Sequence, residues 1–514
     1  MAHGKVSLLV LLAWLASACS DGMISGPMNN GPVCGPGAGG PFWLTEGESI
    51  DITVACQKAD AEPLGGDRFI LEGLPAGATY DPASAMISFT PGLDQAAVYD
   101  ITVKAADLDE SGTVRIGVAD RFDDPENVPI VDPLAYPLEY GVPVFHLSPP
   151  PEDPDVYAST QIIYGGHAYA AQAKKRGRTS IDYPKNSYTL EFPAADRFSD
   201  PERAGGFAKK HKIVLTQHFD DNSYIRTRLA LDMWNDLAPS VTMQSYTAVV
   251  YLDGQYWGLY TVSDHVDDDL MAEHGLPKSG NLYKAINHDA NFRLVRKNGS
   301  DKLTLHDGYE KKSGMPDEGM PGAFDDIDEL VQFAATSSDG DFATQIGQRI
   351  DVADYIRWLV LAVFIAADDS GGKNSYHFHS PGALWKVVPW DFNASLGQTF
   401  STRRRSSTIV DYFDWTNEIF VRMLANPVLT EMVAQQFRQA LAGPYTMDTL
   451  NKRIDSYLAE IPAQVVARDQ ARWGATMMSY TLWDDRTDFT TPEQEVTYMR
   501  EWLAQRVATF AALY

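Results

Sequence analysis

The sequence predicts an α+β protein preceded by a small all-β part, and three observations carry that expectation. The chain has 514 residues, too many for one core and enough for two or three domains. Residues 42–120 hold short β-rich runs separated by turn residues. From about residue 155, strand patterns come first and helical patterns follow. A hydrophobic content of 44% with 11% aromatics is that of folded protein, not of a disordered chain.

The first residues have the parts of an export signal. Lys5 supplies a positive start, and residues 6–15 (VSLLVLLAWL) form an apolar run too short to span a bilayer comfortably. Leu15-Ala16-Ser17-Ala18-Cys19 then resembles a bacterial lipoprotein signal over 1–19, with Cys19 as the lipidated residue. Ordinary cleavage after Ala16-Ser17-Ala18 is the alternative. The expected location is the cell envelope through a lipid anchor, or otherwise secretion. Residues 20–41 are rich in Gly, Pro and Asn and read as a flexible linker.

Within 42–120 the expected strands are 50–56, 68–73, 86–90, 99–105 and 112–119, a spacing that suggests a β-sandwich. The stretch LPAGATYDPASAMISFTP resembles the Ig-like modules of bacterial surface proteins, which implies a spacer or adhesion role. In an oxidising compartment Cys34 and Cys56 would form a disulfide; two free thiols are the other reading. Residues 121–150 are dotted with proline and read as an interdomain connection with a strand at 143–147. The large domain, 151–514, follows. Its expected strands are 161–170, 187–192, 211–216, 246–252 and 256–262. Its expected helices are 222–236, 324–336, 351–367, 415–425, 428–441, 447–467 and 492–512. The last has Thr491 as N-cap, Pro492 at the first helical position and Gln494 closing a capping box.

Composition excludes some chemistries. A formal net charge of -27 repels phosphate backbones and argues against a nucleic-acid partner. All three cysteines lie in the first 56 residues, so the large domain has neither a Cys-rich zinc site nor a cysteine nucleophile.

The most informative window is 361–397, LAVFIAADDSGGKNSYHFHSPGALWKVVPWDFNASLG. An apolar helix delivers Asp369, Asn374 follows five residues later, and a strand pair then ends in Pro389-Trp390-Asp391. Phosphoryl transfer requires one carboxylate to orient the attacking hydroxyl, and a carboxylate with an amide to hold a divalent cation on the nucleotide phosphates. Oxygen donors suit Mg²⁺ or Mn²⁺. Asp369, Asn374 and Asp391 have the layout those roles require in protein kinases. Asp368 is the competing register for Asp369, and only the spacing to Asn374 selects between them.

These motifs resemble the spore coat protein H (CotH) kinase family over roughly 140–512. DSGGKN and WKVVPWDFNASLG place Asp369, Asn374, Asp391 and Gly397 on the family pattern. Many relatives have a second Asp where this chain has Asn393. RGRTSIDYPKNSYTLEF resembles the family's first turn and makes Lys185 the candidate phosphate-binding lysine. QHFDDNSYIRTRLALDMW contributes Asp221 and Arg226, VVYLDGQYWGLYTVSDHVD contributes Asp264 where the family usually has Glu, and GNLYKA contributes Lys284.

The resemblance implies a two-lobed atypical protein-kinase-like domain preceded by the Ig-like sandwich. It implies Asp369 as catalytic residue, Asn374, Asp391 and Asn393 as metal ligands, and Lys185, Asp264, Lys284 and Arg226 around the nucleotide. ATP and Mg²⁺ or Mn²⁺ are the implied cofactors, and Ser or Thr of a surface or coat protein the implied substrate. Two other readings stay open: a non-catalytic surface protein with a degenerate kinase fold, and a metal-dependent phosphohydrolase. Arg403, Arg404 and Arg405 form either a loop for an acidic substrate or a solvated loop. His377 and His379 share a strand face without an evident third zinc ligand.

Overall fold

A computed structural model describes residues 33–37, 40–57, 64–106, 111–200, 203, 207–413, 415–483 and 491–514. The signal region with Cys19 and most of the linker lie outside the described residues. The described residues fall into two compact units, one from those within 1–40, 51–88 and 100–114, the other from those within 41–50, 89–99 and 115–514.

The N-terminal region is all β, with strands where the β-rich runs predict them. In the first unit Val33–Pro36 pairs antiparallel with Ile50–Gln57, which sets Cys34 directly opposite Cys56. The two are joined by a disulfide. Phe69–Glu72 pairs antiparallel with the 102–105 end of Ala97–Ala105. In the second unit Phe42–Thr45 runs parallel to residues 116–119.

The second unit is mixed α+β, and its centre is a β-barrel. Ala158–Tyr164, His167–Arg176, Ser187–Glu191, Lys212–Gln217, Gln255–Asp264, Ser245–Leu252 and Val142–Ser148 are neighbours in that order. Val142–Ser148 then pairs back onto Ala158–Tyr164, with Phe145 opposite Tyr164, and the sheet closes. Closure leaves no exposed edge on those strands. Alternate residues point inward: Tyr169, Ala171 and Ala173 on one strand, Tyr188 and Leu190 on the next, Ile213 and Leu215 on the third. Their outward neighbours Val214, Val249, Tyr251 and Leu259 belong instead to the core shared with the helices. The expected single strand over 161–170 is two strands, because Gly165 and Gly166 at φ 58° and 77° turn the chain back on itself.

A second sheet has the order Tyr309–Ser313, Asn281–Ala285, Ser375–His379, Lys386–Pro389, all antiparallel. Val352–Phe364 packs against it as an almost wholly buried helix, capped by Asp351, whose carboxylate accepts from the N–H groups of Ala353 and Asp354. It ends earlier than expected, because Ala366 takes a left-handed conformation at φ 49°. The expected helix over 447–467 is two, Met447–Glu460 and Ala463–Met478, since Pro462 has no N–H to continue the first. Pro492–Leu513 begins with the expected Thr491–Gln494 capping box. Among the described residues, no helix is long and apolar enough to cross a membrane.

Candidate active site

Four backbone hydrogen bonds bring distant segments together. The N–H of Leu396 donates to Ile365 O at 2.7 Å and that of Asp368 to Ala394 O at 2.8 Å, so the loop leaving the buried helix lies along the loop that follows Asp391. Asn374 is the junction: its N–H donates to Ala285 O at 3.0 Å, and its carbonyl accepts from the N–H of Trp390 at 2.8 Å. The residue after Trp390 is Asp391. Asn374 and Asp391 both have left-handed backbone, at φ 57° and 63°. Asn and Asp tolerate that region better than other side-chain-bearing residues, and strain of this kind gathers at functional sites.

The adjacent acids have different surroundings. Asp368 is ion-paired with Arg405. Asp369 faces the other way, with Lys373 Nζ at 2.5 Å and His288 Nε2 at 3.4 Å. Burial pushes the Asp369 carboxyl up, but the His288 hydrogen bond and the Lys373 charge outweigh it and hold it below the ordinary range. Asn374 Nδ2 donates to Asp369 O at 3.1 Å, which ties the two ends of the DSGGKN segment together.

Asp391 is open to solvent yet closely ringed by protein, as a group on the floor of a cleft would be. Burial raises its carboxyl and the charge of Asp369 adds to that; Arg176, Lys373 and Lys284 oppose it without cancelling it. The two candidate carboxylates are thus close enough to feel one another.

Asn393 Nδ2 donates to Asp220 Oδ2 at 2.6 Å. Burial lifts Asp220 to about 6, with Asp221 and Asp391 adding to the rise and Asn393 opposing it. An acidic side chain from the turn before Arg226–Asp236 therefore stands directly against Asn393. Asp221, its neighbour, holds that turn, accepting from the N–H of Ser223 at 3.0 Å and of Arg226 at 3.0 Å.

Arg226 is fully buried and acts as a strut. It donates to Ser395 O at 2.8 Å, Leu396 O at 2.7 Å and Glu495 Oε1 at 2.7 Å. It thereby fixes the loop after Asp391 rather than facing a ligand. Arg404 also meets Glu495, at 2.7 Å, and lies 3.7 Å from the Tyr498 ring centroid. Arg404 and Arg405 are thus engaged within the protein.

The remaining sequence candidates are distributed as follows. Lys284 is half-buried, 5.8 Å from the Tyr376 ring centroid, and its charge reaches Asp391. Asp264 is buried against Lys210 at 2.8 Å and accepts from the N–H of Gln244 at 2.7 Å. Lys185 is sealed from solvent, with Nζ 2.5 Å from Asp469 Oδ1. The structure brings Asp369, Asn374, Asp391, Asn393 and Lys284 together, supports them with Arg226, and gives Lys185 and Asp264 buried partners of their own. His377 is enclosed by the hydroxyls of Tyr355 and Ser375, and His379 pairs with Asp326 at 2.8 Å. Among the described residues, no group of three or more His, Cys, Asp or Glu is arranged to hold a metal ion.

Sequence reasoning missed Asp220, His288, Lys373 and Arg176. Lys373 lies four residues after Asp369 inside the DSGGKN motif, a spacing that could have found it. Asp220 was one place from the chosen Asp221. His288 comes from a separate loop and left no local signal, whereas Arg176 opens the RGRTSIDYPKNSYTLEF segment.

A buried helix, an antiparallel sheet and a barrel thus converge on a carboxylate–amide loop and a Pro-Trp-Asp segment. Residues 173–510 match the family model described as CotH kinase protein, and the chain belongs to that family. The inner spore coat protein H of Bacillus subtilis (strain 168) is 25% identical over 282 residues, which cover 54% of this chain and 73% of that protein.

Proposed function

We propose that the chain is an ATP- and divalent-metal-dependent protein kinase that acts outside the cytoplasm on Ser or Thr of a coat or surface protein. The observation that carries this reading is the junction at Asn374, which joins Ala285 to Trp390 and so brings Asp391 within reach of the charge of Asp369. In this reading the barrel with its flanking strands and the helical part are the two lobes of a kinase-like fold. The coat substrate follows the printed name of the relative. Export and a lipid anchor at Cys19 rest on the sequence, as does the Ig-like nature of the N-terminal strands.

The donor set fits a hard divalent cation. Asp391 offers a solvent-open carboxylate, and the amides of Asn374 and Asn393 are held by their nitrogens, which leaves each oxygen to face a ligand. Asp391, Asn374 and Asn393 would hold the metal, which would neutralise charge on the nucleotide phosphates. Asp369 stays ionised because His288 and Lys373 stabilise its charge, and it is placed to orient and accept the proton of an incoming hydroxyl. Lys284 adds positive charge beside Asp391.

The test is transfer of labelled γ-phosphate to the chain itself or to a Ser-rich protein. Wild type should label the acceptor and Asp391→Ala should not, with an unchanged melting temperature. Undiminished transfer in the variant would overturn the site assignment. ATP consumption without phosphoprotein would point to hydrolysis instead.

A further inference from the structure

Arg176 ends the barrel strand His167–Arg176, and the reading of Asp391 gives it no task. Its guanidinium carbon lies 4.9 Å from the ring centroid of Trp390, the residue before Asp391. Stacking on a buried indole fixes the plane of the fork beside the acid. One nitrogen of that fork, Nη1, is buried and has no hydrogen-bond partner among the described residues. A buried donor on a permanent cation is costly to leave unmatched, so such an atom marks the place of an absent acceptor.

The surroundings are cationic in a chain of net charge -27. Lys174 shares the outward face of the same strand, with Nζ 4.9 Å from the Tyr157 ring centroid, and Lys212 Nζ lies 5.6 Å from that centroid. Lys174 is held below the ordinary lysine value by burial first, and then by the charges of Lys312, Lys212 and Arg176, against an opposing pull from Asp155. Those cations repel one another, while Glu191, 3.3 Å from Lys212, Glu310 paired with Lys312, and the charges of Asp155 and Asp267 compensate them in part. Such an arrangement is stable when an anion of more than one charge joins it. Lys185, the lysine that the sequence motif offers for that purpose, is closed off with Asp469.

We infer that Arg176, rather than Lys185, is the residue that grips the nucleotide's phosphate chain, with Lys174, Lys212 and Lys312 supplying the field around it. The ligand chemistry is a polyphosphate next to the cation site of Asp391, and the fork geometry suits paired phosphate oxygens. This assignment rests on the ATP-dependent reading of the site.

The experiment uses the full chain and measures binding of Mn²⁺–ATP and of adenosine by calorimetry, alongside melting temperatures. Arg176→Gln should bind ATP about 10- to 100-fold more weakly and adenosine as wild type does. Equal ATP affinity in a folded Arg176→Gln overturns the assignment and leaves the kinase reading standing. Equal losses for ATP and adenosine, with a lowered melting temperature, make the side chain structural and also overturn it. If wild type binds no ATP, both readings fall. Arg176→Lys keeps charge and stem but not the fork, and serves if the glutamine variant does not fold. It should lose ATP affinity roughly 3- to 10-fold, and wild-type affinity in it overturns the Nη1 contact.

Discussion

Lys185 Nζ and Asp469 Oδ1 lie 2.5 Å apart across 284 residues of sequence, and neither side chain reaches solvent. Asp469 also accepts from the N–H of Leu259 at 2.7 Å and from the hydroxyl of Tyr224 at 2.9 Å. The pair pins the helix Ala463–Met478 to the barrel strand Gln255–Asp264. Gly258, at φ 124°, makes room for it, since a Cβ there would stand 2.1 Å from Asp469 Oδ1.

A pair of this kind is fragile when halved. Asp469→Ala leaves a buried ammonium uncompensated and should lower unfolding stability by about 3–5 kcal/mol. Lys185→Met combined with Asp469→Asn removes both charges and should lose clearly less. Urea melts of the single and double variants measure the coupling. A double variant that is weaker than Asp469→Ala would contradict the account.

The two adjacent acids should separate cleanly. Asp369→Asn should reduce phosphoryl transfer by about 10²- to 10⁴-fold while ATP affinity persists, because the change removes the proton acceptor only. Asp368→Asn frees Arg405 and should act on melting temperature more than on turnover. Single-turnover assays on both variants decide the register. Loss of turnover confined to Asp368→Asn would reverse it.

Asn393 and Asp220 should behave as an exchangeable pair. Asn393→Asp alone sets two carboxylates where a 2.6 Å hydrogen bond now stands, and should destabilise the protein by about 1–3 kcal/mol near neutral pH. Adding Asp220→Asn restores one acid and one amide, and should recover most of that loss. Melting temperatures at pH 7.5 test the recovery; additive losses in the double variant would show that the two side chains are not coupled.

Acid should weaken the fold through buried imidazoles. Burial lowers His377 to about 3 and His146 to about 4, and burial with the Lys185 charge lowers His218 to about 3. The unfolded chain takes up these protons near pH 6.5 and the folded chain does not, so stability present above that value is lost as pH falls toward 3 to 4. For His377 the loss is roughly 3 kcal/mol by pH 4. His377→Gln should flatten the pH dependence of urea midpoints between pH 4.5 and 7.5. An unchanged slope would remove His377 as a contributor.

Much of this protein was legible in its sequence because the signals were local. The apolar run that delivers Asp369, the spacing to Asn374, the strand ending in Trp390-Asp391 and the Thr491 capping box are all written within a few residues of where they act. Helix ends were less legible, since Pro462 and the turn at Ala366 act against otherwise continuous periodicity.

The sequence by itself determined the α+β class, the family and the acid–amide pattern, because each depends on residue type and short spacing. Only the tertiary structure decided the partners. Lys185 meets Asp469 and not a solvent-facing site, Asp220 meets Asn393, and Arg176 arrives beside Trp390. The physical reason is that burial and Coulomb interaction depend on distance in space. Closure of the barrel and its docking on the helices bring together charges that the chain order keeps far apart.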